Sequence, residues 1–233
     1  MLKTKPQQVR SRVMLLALIV VSAIASTIAV IYYPAFFQQH LAWKYLLEPL
    51  SMLAIYGFIA ELVMRRSGKS WESIRRIAGV FGVITGIVEI ANVVLENIDF
   101  GIPRGPLVSV AFMLLVFVLW GFAAAWSCRE CNSVRAGIAC GVLSSGICML
   151  IAVASGFVFQ FFVFPPDPAK VATWAEFKRS GWTDPGAFGL ANTLDSGFTH
   201  LIVAPFVALI FGSAGCLLLR GISRQSRSLC DTK

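Results

Sequence analysis

The chain alternates long apolar runs with short polar, charged blocks. Six runs stand out, near 13–33, 43–64, 77–98, 105–126, 136–164 and 196–219. Each is long enough, at about 1.5 Å per residue in a helix, to cross a hydrocarbon layer roughly 30 Å thick. In lipid the backbone N–H and C=O groups find no water, and a helix satisfies them within its own segment. None of the runs alternates apolar and polar residues as a transmembrane strand does. The pattern therefore predicts an all-α, polytopic bundle of about six spans, read as a single integral membrane domain over 1–233. The fifth run is long and should tilt or extend beyond the bilayer. The first run has a second reading. Basic residues precede it, and Ala23-Ile24-Ala25 has the form of a signal-peptidase site, but the apolar stretch continues to Tyr33 and favours an uncleaved span.

Composition adds weight to this picture. Of the 233 residues 57% are hydrophobic and 14% charged, with a mean hydropathy of +0.76, whereas soluble domains carry about 25% charged residues. The net charge of +8 would suit nucleic acid on a soluble protein, but the cations are dispersed between apolar runs, which argues against a nucleic-acid partner. Their distribution predicts orientation. With the N-terminus inside, 15 of the 20 Lys and Arg residues fall in inside segments and 5 outside, so the positive-inside rule places both termini in the cytoplasm of a cell membrane. Cysteines fall in inside segments (Cys128, Cys131, Cys230) or in spans (Cys140, Cys148, Cys216), so no disulfide framework is expected.

The long outer segment 165–195 opens Pro165-Pro166-Asp167-Pro168, a helix-start signal with Asp167 as N-cap. Val171, Trp174 and Phe177 or Lys178 follow at helical spacing. A short interfacial helix is expected, with Trp174 and Trp182 at headgroup level. It would serve as a packed connector or as a lid over an outward-facing cavity. Asp184-Pro185 marks a further turn. Asp195 is expected at the start of the last span, where the helix dipole favours a carboxylate.

Small residues recur at four-residue spacing: Gly82 and Gly86, Gly121 and Ala125, Gly137 with Gly141 and Ser145, and Ala208 with Gly212. Such faces let helices approach closely. Packing within the chain is the simpler use of them, and a homo-oligomer seam is the other.

Ionisable residues inside a span each need a reason, because insertion at the bilayer centre costs roughly 2.5–3.5 kcal/mol for Asp, Lys or Arg. Glu48 and Glu61 have local partners in Lys44 and Arg65. Glu89 lies nine residues before Ile98, about 13 Å down its helix, with Thr85, Asn92 and Glu96 at helical spacing around it. This polar stripe marks a candidate site for a small polar solute, a proton or another cation. The alternative is a protonated, hydrogen-bonded structural Glu. His200, four residues into the last run, is a further candidate ligand on the outer side, and Gln160 is expected at similar depth.

Other signals are weaker. Cys128-Arg129-Glu130-Cys131 has no second pair to complete a zinc site, and Ser67-Gly68-Lys69-Ser70 lacks the earlier glycine of a P-loop. The basic loop 65–76 is of a kind that attracts anionic lipid, although setting topology already accounts for it. No cofactor or metal site is expected. Three functions fit the pattern: a small-solute or cation binder or transporter, a membrane interaction or assembly protein, and an intramembrane enzyme, for which no motif speaks.

Overall fold

The computed structural model describes residues 6–97 and 107–230, with side chains described over 12–95 and 107–221. All the regular elements described are helical. They are α1 Pro6–Ile31, a 3-10 turn Pro34–Gln38, α2 Ala42–Arg65, α3 Lys69–Asn97, α4 Leu107–Glu130 and α5 Val134–Val158, which runs on as a π turn over Phe159–Val163. Then come α6 Pro168–Val171, α7 Ala175–Ser180 and α8 Pro185–Cys230. Six of these helices are long and apolar enough to span a membrane. The protein is an integral, multi-pass, all-α membrane protein.

The chain forms two compact units. The first comprises residues up to Arg65 together with Leu150–Ile202, and the second Arg66–Met149 together with Val203 onward.

In the first unit α1 packs along α2. Arg12 and Arg65 each reach Glu61 at 2.9 Å, so this carboxylate is balanced by two guanidinium groups near the helix ends. Lys44 lies 3.9 Å from Glu48, while the second Glu48 oxygen is buried with no hydrogen-bond partner among the described residues. Proline 205 has no N–H to offer the carbonyl four residues earlier, that of Leu201. The Tyr56 hydroxyl fills the gap, donating to the Leu201 carbonyl at 2.7 Å.

The segment 165–195 departs from expectation in two ways. Asp167 does cap α6, accepting from the Ala169 N–H at 2.9 Å, but the short helix is two, broken at residues 172–174. Trp182 is buried. It makes edge contacts with Phe36, Tyr45 and Phe188 at ring-centroid distances of 5.6–5.9 Å. The last helix starts at Pro185, not near 196. Asp184 is its N-cap, accepting from the Ala187 N–H at 2.8 Å, and Asp195 lies well inside the helix. Polar and glycine positions between 186 and 196 hide this helix in a hydropathy reading. Its buried face, Ala187, Leu190, Ala191, Leu194 and Leu201, keeps helical spacing and stabilises it through packing.

Asp184 also ties this helix start to the first hairpin. The Tyr33 hydroxyl donates to the same Asp184 oxygen at 2.9 Å, Gly186 leaves room for the phenol, and Gln39 accepts from the Thr183 N–H at 2.9 Å. Burial holds the Tyr33 phenol above its ordinary value, and the hydrogen bond to Asp184 and that group's negative charge add to the rise. A raised folded-state value means stability is present below the unfolded tyrosine value and lost as pH climbs through the folded one. Melting temperature should therefore fall more steeply between about pH 9 and pH 11 in the wild type than in Tyr33→Phe. Equal slopes would show that the phenol does not contribute.

In the second unit α3 packs along α4, and small residues set the separations. A Cβ on Gly82 would stand 2.6 Å from Ile147 Cβ and 2.9 Å from the Ser144 carbonyl oxygen. One on Gly137 would meet the Ala124 carbonyl oxygen at 2.6 Å, and one on Gly121 the Phe211 carbonyl oxygen at 3.1 Å. Gly141 and Gly212 both pack on the Ala124 methyl, at 3.4 and 3.3 Å by the same construction. These small faces are occupied by neighbouring helices of the same unit. The α4–α5 turn closes with Asn132 at φ +47°. The Ser133 N–H reaches back to the Cys128 carbonyl and the Asn132 N–H to that of Arg129, at 3.1 and 3.4 Å, the Schellman arrangement that ends a helix without orphaned carbonyls.

Candidate functional site

The buried positions of α3 are Ile74, Ile77, Ala78, Gly82, Thr85 and Gly86, which recur every three to four residues, singly or as adjacent pairs, and define one face. Val80, Ile84 and Ile87 are exposed and form the opposite, lipid-type face. Extending the buried row by one helical step from Thr85 arrives at Glu89, and by another at Asn92. Both are half-buried. The carboxylate therefore belongs to the face that packs against other helices.

Thr85 anchors this face. It is fully buried, donates its hydroxyl proton to the Phe81 carbonyl at 2.8 Å and accepts a long bond of 3.4 Å from the Trp120 indole N–H. Trp120 is itself fully buried, so the indole needs such a partner. From α5, Ile147 packs against Gly82, and the adjacent Cys148 is fully buried. Ser144, fully buried, stands one turn before Cys148 and faces Gly82 through its carbonyl. Two facing columns result, Gly82–Thr85–Glu89 on α3 and Ser144–Cys148 on α5, with the Trp120 N–H closing the side. A layer of hydroxyl, thiol, indole N–H and carboxyl groups can pass hydrogen bonds to a small polar guest or hold a proton.

Glu96 lies on the same helix, but its side chain is outside the described residues, as is Ile98. His200 lies on α8. It belongs to the first unit, is exposed, and its Nδ1–H donates to the Ser196 carbonyl of its own helix at 2.7 Å. Gln160 is likewise engaged within the first unit, accepting from the Thr193 hydroxyl at 3.4 Å. Among the described residues no group of three or more His, Cys, Asp or Glu is placed to hold a metal ion.

Trp120, Ser144 and Cys148 escaped the reading of the sequence. The four-residue spacing of Ser144 and Cys148 equals that of Thr85 and Glu89, and a Trp in mid-span needs a bond for its N–H. Those two signals together point at the pairing of α3 with α4 and α5. No family model, curated protein or solved structure matches the chain.

Proposed function

We propose that the second unit binds a small polar solute or a cation, protons included, at the layer formed by Thr85, Glu89, Asn92, Trp120 and Cys148, and that the protein acts as a binder or transporter. One observation carries this reading: Glu89 continues the buried row of α3 one helical turn beyond Thr85, away from the Val80, Ile84 and Ile87 face. A carboxyl at such a position is costly to retain for packing alone.

The test is thermal stability of the purified protein in detergent across pH and a panel of cations and polar solutes, with Glu89→Gln alongside. A ligand at 100 times its Kd stabilises by about 2.7 kcal/mol. The expected result is a shift in the wild type that is lost in Glu89→Gln. An unchanged melting point in both proteins across the whole panel would reject binding here.

A second reading, a membrane interaction or assembly protein without translocation, draws on a different observation. The Gly82, Gly121 and Gly137 contacts bring helices to backbone distance throughout the second unit, as a closed bundle requires. It gains ground if the panel is silent and Glu89→Gln is as stable as the wild type.

A further inference from the structure

We propose that the charged end of the second unit is a docking surface for anionic phospholipid headgroups. Three connections bring its parts together. The Cys131 thiol lies 3.8 Å from the Ser70 carbonyl oxygen, placing the α4–α5 turn beside the first turn of α3. The Arg76 guanidinium reaches Glu130 at 2.7 Å, joining the same two helices. The Cys216 thiol lies 3.6 Å from the Ala124 carbonyl oxygen, which carries α8, and Arg220 one turn later, to the same end.

Six exposed cations gather there: Arg66, Lys69, Arg76, Arg129, Arg135 and Arg220. Two exposed carboxylates, Glu72 and Glu130, stand against them. Glu130 is engaged by Arg76, and among the described residues no ion pair involves Lys69, Arg129, Arg135 or Arg220. Arg66 is fixed differently, its guanidinium 5.0 Å from the centre of the Trp71 ring, and the Arg66 carbonyl accepts from Arg75 at 2.7 Å. Trp71 is half-buried at the start of a membrane-spanning helix, the depth at which tryptophan meets headgroups.

Setting orientation needs cations only somewhere in a loop. Here three separate chain segments deliver them to one patch at the edge of the apolar region, with a Trp–Arg stack among them. Charge complementarity selects the occupant. Arginine presents paired N–H donors that match phosphate oxygens, and basic clusters beside spans are attracted to anionic leaflets.

The experiment follows the melting temperature of the full chain in detergent micelles doped with phosphatidylglycerol or with matched phosphatidylcholine. The expected result is a rise of several degrees with phosphatidylglycerol only, at least halved in the triple variant Lys69→Gln/Arg129→Gln/Arg135→Gln and largely abolished by high salt. The pair Lys170→Gln/Lys178→Gln, elsewhere in the chain, should keep the full rise. Should the triple variant fold poorly, the charge-keeping Arg129→Lys/Arg135→Lys variant should retain most of the rise and Lys69→Gln alone should lose part of it. Equal rises with both lipids, a full rise in the triple variant or in Lys69→Gln, or the same loss in the control pair would overturn the proposal. So would a matching rise with inorganic phosphate alone, which would indicate a free-anion site.

Discussion

Replacing Gly215 by valine is expected to destabilise the protein by about 3 kcal/mol, the upper end for forcing extra atoms into a packed contact. A Cβ at this position would run into the Gly121 carbonyl oxygen and stand 3.0 Å from the Gly121 carbonyl carbon. The obstacle is backbone, so no rotamer change relieves it, and α8 must move away from α4 along the contact that Gly121 makes with Phe211. The matching control is Gly79→Ala on α3. Among the described residues nothing lies within 4 Å of a Cβ built there, and replacing a mid-helix glycine by alanine should gain about 0.5–1 kcal/mol. Thermal unfolding followed with a thiol-reactive dye suits both, since Cys128, Cys140, Cys148 and Cys216 are buried in the native state. If Gly215→Val melts with the wild type, the helix contact is not close-packed.

The second large effect is a coupling. Tyr56→Phe removes the hydroxyl that satisfies the Leu201 carbonyl and leaves a polar oxygen without a donor in an apolar setting, at a cost of about 1–3 kcal/mol. The loss should disappear in a Pro205→Ala background, because alanine restores the N–H that bonds this same carbonyl within the helix. A double-mutant cycle measures the coupling directly. Additive losses would mean that Tyr56 and Pro205 act independently, and the bond at 2.7 Å would then carry no net stability.

Much of the architecture is legible before any coordinates, because in a membrane apolar length and helical geometry are the same constraint. The Glu61–Arg65 pair follows from spacing alone, and so does the Asp167 cap. What escapes is decided by tertiary contact. The first turns of α8 contain Gly186, Gly189, Asn192 and Ser196, and their hydropathy resembles a loop. Only the packing of Ala187, Leu190 and Leu194 makes them helix. Arg12, far from Glu61 in sequence, joins the Glu61–Arg65 pair through the packing of α1 on α2. Within the candidate layer, Thr85, Glu89 and Asn92 are readable as a stripe on one helix. Trp120 and Cys148 are not, since which helix faces the stripe depends on where Gly82 allows close approach.

The π turn at Phe159–Val163 has a consequence for reading α5. The Phe164 N–H bonds the Phe159 carbonyl at 2.7 Å, five residues back rather than four, so the turn holds one residue more than an α turn. That residue acts as a phase shift of about 100°. A single helical wheel drawn through the span, in register with Gly137, Gly141 and Ser145, points Gln160, Phe161 and Phe162 in the wrong directions. A substitution scan across α5 needs two wheels, joined at Phe159, before any periodicity in its results can be assigned to a face.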